Sequence, residues 1–540
     1  MTTGDPAIER LADAILIPPF PGTHAPRWVL SALSRGLAGV TLYAENMAAG
    51  ADSLRSLADA LRAQAPDALI ATDEEGGDVT RVWYAGGSPY PGNAALGEVD
   101  DPRLTEEVYA AIGRDLAALG ISLDLAPCLD VLTTPLNPVI GTRSFGSDPA
   151  LVTRHGRAAV RGLQSAGIAA CAKHFPGHGS TLLDSHTELA VVRSSPDELA
   201  GRDLPPFRGA VDAGVMTVMP GHLLVPGVTG GLPASLSASA ISLLRELGFT
   251  GPVVSDALEM SAVRNPFGIP GAAVRAVAAG TDLLCLGRDV GEEGYHAVRS
   301  ALGDAVRSGD LAAGRIEEAA ARVAGLRAAL AGHRGGPGAA VAASAATASG
   351  STRPAPEGVT ADRVGLRAAR RAVRLTGPRP DLRDPVVVEV EPLLNLAAGY
   401  ARWGLGRWVP PENLHRVPAQ PADPHAAASA ALKAAAGRSL VLVVRDAHRS
   451  PAAQALAGLV LAERPDAVLV EMGLPYWQPR AGTCQAYIAT YGASRANAEA
   501  AAELLGLSPS AAAAPPRPGG LCPAVATSSR AGTPPVHTWC

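Results

Sequence analysis

Ile168-Ala169-Ala170-Cys171-Ala172-Lys173-His174-Phe175-Pro176-Gly177-His178-Gly179 passes from five small or apolar residues straight into Lys, His, Pro and Gly. A short apolar run reads as a buried strand, and the proline and glycines after it turn the chain into a loop at the strand's carboxyl end. Catalytic loops of parallel α/β folds sit at that end. Asp184-Ser185-His186 follows closely. A packed core has no use for a Lys, three His and an Asp so close together, because buried charges cost several kcal/mol unless paired. Taken alone, the stretch also reads as a solvated loop with incidental charges.

Working outward, short apolar runs alternate with longer amphipathic stretches rich in Ala, Leu and Arg, which is the pattern of repeated strand–helix units. Candidate strands fall at 14–20, 39–44, 68–73, 122–127, 168–173, 215–220, 251–256 and 281–287, with helices expected over 102–119, 150–165, 197–213 and 239–247. Eight such units within roughly 290 residues fit a (β/α)8 TIM barrel. A doubly wound open sheet is the rival, disfavoured because polar residues recur at the carboxyl ends of at least five strands, as converging catalytic loops require. The barrel is assigned to residues 1–331. Residues 332–358, dominated by Gly, Ala, Ser, Pro and Thr, read as a flexible linker. Residues 359–508 read as a smaller open α/β sandwich domain, with a helix near 360–374 and strands at 386–391, 440–445, 467–472 and 486–491. The Ala/Pro/Ser/Gly-rich tail 509–540 reads as disordered.

The whole chain narrows the function classes. At 540 residues it is too long for one ordinary core, and its net charge of −5 comes without a clustered Lys/Arg stripe, so no nucleic-acid partner is expected. No apolar run reaches the roughly eighteen residues of a membrane span, and no signal segment is recognised at the start, so a cytoplasmic protein without a membrane partner is expected. The six cysteines, at 128, 171, 285, 484, 522 and 540, form no CxxC and no metal-ligand spacing with histidine. They are expected to be reduced and structural, with no metal and no cofactor.

The strand ends carry the chemistry. After the third strand comes Asp73-Glu74-Glu75-Gly76-Gly77-Asp78-Val79-Thr80-Arg81. The fourth leads to Asp130 and then Asn137-Pro138-Val139-Ile140-Gly141-Thr142-Arg143-Ser144-Phe145, the sixth to Met219-Pro220-Gly221-His222, and the seventh to Ser255-Asp256-Ala257-Leu258-Glu259-Met260. Asp256 on its own reads equally as a helix N-cap. Five polar strand ends together do not read as caps.

Taken with their spacing, the strings KHFPGHG with DSH, NPVIGTRSF, DEEGG and SDALEM resemble glycoside hydrolase family 3, over about residues 10–330, and the Asp-Ser-His loop is similar to its β-N-acetylglucosaminidase branch of the NagZ type. Residues 360–508 resemble, more weakly, the C-terminal domain of two-domain members. The resemblance implies a retaining exo-β-N-acetylglucosaminidase acting on N-acetylglucosaminides such as peptidoglycan-turnover fragments. It implies Asp256 as nucleophile and His186 as general acid/base with Asp184 as its dyad partner. It implies Asp73, Arg81, Arg143, Lys173 and His174 as the residues that hold the terminal sugar. Asp78 departs from the family pattern, standing where an arginine is common, and Met219-Pro220-Gly221-His222 departs from the more frequent Thr-Ala-His; both departures bear on the pocket rim.

The residues permit that chemistry. A carboxylate at a strand end is rigidly held, and Lys173, Arg143 and His174 are expected to keep Asp256 ionised. Asp184 near His186 fixes the imidazole tautomer and lets it give a proton and later take one from water. His178 is assigned a bracing role. The loop 177–186 is expected to be mobile, with few buried contacts, and to close over bound sugar. A glycoside phosphorylase is the near alternative, since a histidine acid/base leaves less negative charge beside an incoming phosphate; a non-catalytic sugar-binding barrel is the alternative of another class. The second domain is expected to serve as scaffold or cleft wall without catalytic residues.

Overall fold

The computed structural model describes residues 6–334, 361–393, 395–399 and 404–509. Most of the expected linker and all but the first residue of the expected disordered tail lie outside the described residues.

The N-terminal half forms the expected barrel. Strands Gly39–Thr41, Leu69–Thr72, Leu123–Asp124, Ala169–Phe175 and Thr217–Pro220 pair in parallel in that order. The ring continues through the bridges Val218 to Val253 and Val254 to Leu283, and Leu16–Ile17 pairs in parallel with Leu284–Cys285. The Thr41 N–H donates to Pro18 O at 3.2 Å, which closes the circle. Apart from Ala169–Phe175, which runs two residues past its expected end, the strands are shorter than the apolar runs predict.

Strand alternation explains why the site residues meet. Leu69 and Ala71, Ala169 and Cys171, Val254, and Leu283 and Cys285 share the inner cluster of the barrel, while Ile70, Ala170, Ala172 and Val253 face the helices. Two residues further along the inward face stand Asp73, Lys173 and Asp256. Period two thus aims all three at the barrel mouth.

The outer helices start where the sequence caps them. Asp101 precedes Pro102–Ala118 and Asp148 precedes Pro149–Ser165; each carboxylate accepts two backbone N–H groups, with Pro in the first turn. These two helices approach at Gly162, where a Cβ would lie 2.5 Å from Glu106 O. The expected helix 197–213 is broken into Pro196–Glu198, a π-helical turn Leu199–Asp203 and Leu204–Asp212. Pro205 and Pro206 lack the N–H groups that a continuous helix needs.

The second domain is a six-stranded sheet ordered Arg374–Thr376, Ala486–Ala489, Val468–Glu471, Leu440–Val444, Val386–Val390, Leu414–Val417, antiparallel only at its first pair. Its two faces carry separate cores, Val386, Val388, Leu440 and Leu442 on one side and Val387, Val441 and Val443 on the other. That makes it the expected α/β sandwich. The two edge strands go unread in the sequence because they are short and carry Arg374, His415 and Arg416. Helix Ala361–Ala372 seats this domain on the barrel: Arg371 pairs with Asp101 at 2.7 Å, and Gly365 passes so close to Pro89 O that a Cβ would lie 2.0 Å away. Among the described residues no helix is long and apolar enough to cross a membrane.

Candidate active site

Asp73, Arg81, Arg143, Lys173, His174, His186 and Asp256 line one pocket at the carboxyl ends of the barrel strands. Seven of the eight residues expected at the site are therefore in its wall. The eighth, Asp184, stands behind His186. Its Oδ1 accepts His186 Nδ1 at 2.7 Å and the His186 N–H at 2.9 Å. Burial raises the Asp184 carboxyl, but the His186 imidazole outweighs it and holds the group below its ordinary value. An ionised carboxylate only accepts, so Nδ1 carries a hydrogen and Nε2 is left to exchange a proton with a ligand.

Asp256 accepts the Ala257 N–H at 2.8 Å. Burial works against its charge, yet His222, His174 and His186 together with that N–H keep the carboxyl below its ordinary value. The expectation that Lys173 and Arg143 do this needs correction. Lys173 Nζ lies 2.9 Å from Asp73 and 2.8 Å from Glu75, and Arg143 grips both Glu75 oxygens at 2.8 and 2.9 Å. These cations are neutralised across the pocket floor. Glu75 lies well below the usual carboxylate range despite its burial, because Arg143 and Lys173 surround it. His174 Nδ1 meets Asp130 at 2.7 Å and so donates, leaving Nε2 to face Arg143 at 3.4 Å.

The loop that carries the dyad is tied down more firmly than its composition predicts. The Thr181 hydroxyl donates to His178 O, so His178 Nδ1 donates to Thr181 Oγ1 at 2.7 Å and Nε2 accepts from Ser185 at 3.0 Å. His178, Thr181 and Ser185 are all buried. The Ser261 N–H reaches His186 O at 3.3 Å, which fastens the loop to the chain just beyond Asp256. The bracing role assigned to His178 thus has a geometric basis.

The family profile described as "Glycosyl hydrolase family 3 N terminal domain" matches residues 27–326, more than half of the chain. The chain belongs to glycoside hydrolase family 3. The family 3 chain is 39% identical over 265 residues to "Beta-hexosaminidase LpqI" of Mycobacterium tuberculosis, covering 48% of this chain and 67% of that protein. It is 36% identical over 272 residues to a beta-hexosaminidase of Stenotrophomonas maltophilia, 49% of this chain and 80% of that one. Its fold superposes on a glycoside hydrolase family 3 beta-N-acetylglucosaminidase from Paenibacillus sp. at a TM-score of 0.81 and 31% identity, over 92% of this chain and 96% of the other. It is an enzyme, a glycoside hydrolase acting on carbohydrate.

Three features of this family 3 site were missed at the sequence level, and a fourth was expected only as a role, without its residues. Glu75 lies inside the quoted DEEGG string, and its signal was the surplus of cations over Asp73 alone. His222 receives the Ser235 hydroxyl at Nδ1, 2.6 Å, and donates from Nε2 to Ala257 O at 2.9 Å, so it holds the peptide that follows Asp256. Burial pushes His222 down, consistent with one donor and one acceptor nitrogen. Tyr43 enters the wall from the loop after the second strand.

The fourth feature comes from the second domain: Leu396, Ala397 and Gly399 complete the pocket wall, and Arg81 reaches from Asp73, 3.8 Å away, to Ala397 O at 3.0 Å. An uncharged loop carries no sequence signal for this. Asp78 clasps the two domains, receiving Thr142 Oγ1 at 2.6 Å, Arg445 at 2.9 Å and the Ala493 N–H at 2.9 Å. Its departure from the family pattern therefore bears on the domain junction first and on the rim through it.

Cys128, Asp130 and His174 bring their ligating atoms within 4.8 Å of one another, the one such grouping among the described residues. Asp130 already accepts the Cys128 thiol at 3.0 Å, His174 Nδ1, and the N–H groups of His174 and His178. Every donor has its acceptor, and the group reads as a hydrogen-bond network that fixes His174.

Proposed function

We propose that the chain is a retaining exo-β-N-acetylglucosaminidase that hydrolyses terminal β-linked N-acetylglucosamine by double displacement, on substrates such as peptidoglycan-turnover fragments in the cytoplasm. The observation that carries this reading is that His186, its ring held by Asp184 at 2.7 Å, lines one pocket together with Asp256. The relatives named beta-hexosaminidase and the structurally similar beta-N-acetylglucosaminidase support the choice of sugar.

In the first step an Asp256 oxygen attacks the anomeric carbon as the glycosidic C–O bond breaks, and His186 Nε2–H gives its proton to the leaving oxygen. Imidazolium becomes imidazole while Asp184 keeps the ring oriented. In the second step His186 takes a proton from water, whose oxygen attacks the same carbon and releases Asp256 as a carboxylate. Two inversions return the β-anomer. The salt-bridged floor of Asp73, Lys173, Glu75 and Arg143 offers donors and acceptors fixed in advance to the sugar hydroxyls, so little reorganisation accompanies binding.

The test is release of 4-nitrophenol from the β-N-acetylglucosaminide, with the first-formed sugar followed by proton NMR. Hydrolysis with the β-anomer appearing first is expected. First appearance of the α-anomer rules out the double displacement, and formation of a sugar phosphate only when phosphate is added moves the assignment to a phosphorylase.

A further inference from the structure

Large apolar side chains more than a third exposed are few among the described residues: Leu136, Leu182, Leu183 and Tyr476, at 56%, 63%, 43% and 51%. All four belong to loops at carboxyl ends of strands, on the two sides of the junction between the domains. Leu136 follows the fourth barrel strand. Leu182 and Leu183 directly precede Asp184 on the acid/base loop. Tyr476 follows strand Val468–Glu471 of the second sheet.

Hydrogen bonds join these loops into one rim. Thr133 N–H donates to Gly179 O at 3.2 Å and Asn137 Nδ2 to His178 O at 2.9 Å, which binds the Leu136 loop to the Leu182–Leu183 loop. His448 Nε2 reaches Pro135 O at 2.8 Å, and its ring meets Tyr476 edge to face with centroids 5.2 Å apart. The rim thus runs from the second domain, across Pro135 and Leu136, to the residue before the dyad.

Resting on the reading of His186 as proton donor, we propose that this rim is a platform for the leaving-group side of the substrate, and that its occupant is the saccharide chain beyond the scissile bond. The donor must stand at the leaving oxygen, so the loop that carries it flanks the departing group. β-linked pyranoses with equatorial substituents present flat faces of C–H groups, which pack against aromatic and branched aliphatic side chains, while their edge hydroxyls need the polar neighbours that Thr133 and Thr134 supply. On that reading the catalytic pocket takes the terminal sugar, and the rim lengthens the site outward along the junction.

The experiment compares kcat/KM on 4-nitrophenyl β-N-acetylglucosaminide with kcat/KM on β-1,4-linked N-acetylglucosamine oligomers of increasing length, for the wild type, Tyr476→Ala, Tyr476→Trp and Leu136→Ser. Tyr476→Ala and Leu136→Ser should lose roughly 3- to 10-fold more on the longer oligomers than on the nitrophenyl sugar, the worth of one stacking or apolar contact, and Tyr476→Trp should keep the preference for length. Equal changes at every length overturn the platform. So does a wild-type dimer that Tyr476→Ala turns into monomer without any dependence on length, which would make the rim an interface between copies. Failure of the wild type to release nitrophenol would instead refute the glycosidase reading and the platform with it, so the two failures are told apart by the wild type alone.

Discussion

Replacing Asp78 should loosen the second domain from the barrel, and the structure sets the scale. The Asp78 and Arg445 side chains are 4% and 12% exposed, so their ion pair is nearly free of solvent screening. Removing one partner of a buried pair costs about 3–5 kcal/mol, because the other charge stays buried without compensation. Asp78→Ala also strands the Ala493 N–H and the Thr142 hydroxyl. Asp78→Asn can still accept from Ala493 and should lose about half as much. In a double-mutant cycle with Arg445→Met the coupling should exceed about 1.5 kcal/mol, as charged hydrogen bonds of this kind do. The catalytic consequence runs through the wall at Leu396, Ala397 and Gly399, which the second domain holds against Arg81. KM for 4-nitrophenyl β-N-acetylglucosaminide should therefore rise further than kcat falls. The assay is urea unfolding together with steady-state kinetics. An Asp78→Ala protein within about 0.5 kcal/mol of wild type, with KM unmoved, would refute the clasp.

Two further predictions concern the site's supports. Burial drives His178 from its ordinary 6.5 down to about 4, against the pull of Asp130 and together with His174 and Arg143. A histidine depressed in the fold stabilises it above 6.5, and that stabilisation is lost as pH falls from 6.5 towards 4, by at most about 3 kcal/mol; His178→Asn should flatten this acid slope in thermal melts, and an unchanged slope would show that His178 does not anchor the loop. Glu75→Gln removes the carboxylate shared by Arg143 and Lys173. It should destabilise the protein by about 3 kcal/mol and raise KM at least tenfold; a variant with wild-type KM would mean that the floor does not position the sugar.

The barrel was legible because short apolar runs alternate with amphipathic stretches and at least five of the runs end in polar residues. Within the strand, the alternation that buries Ala169 and Cys171 delivers Lys173 to the mouth. Asp184 and His186 were legible because two residues of separation within a loop let them close on each other. The direction of the Lys173 and Arg143 charges was not legible, since Glu75 competes with Asp256 for them and only the folded geometry ranks the distances. The hydrogen bonds that tie the 177–186 loop through His178 were not legible, because small residues predict freedom unless a buried side chain ties them. The second domain was expected as a cleft wall, but the residues that form it had no pattern: Leu396, Ala397 and Gly399 act through backbone and shape. Asp78 was visible as an odd residue, but its three partners lie 64, 367 and 415 positions away.

The central claim is the covalent role of Asp256, and the direct measurement is mass spectrometry of enzyme treated with 5-fluoro-N-acetylglucosaminyl fluoride, which forms a glycosyl ester but hydrolyses it slowly. A single added sugar on the peptide that contains Asp256, absent in Asp256→Asn, is the predicted result. Turnover of the 4-nitrophenyl substrate by Asp256→Asn at the wild-type rate, or a label on another carboxylate, would contradict it.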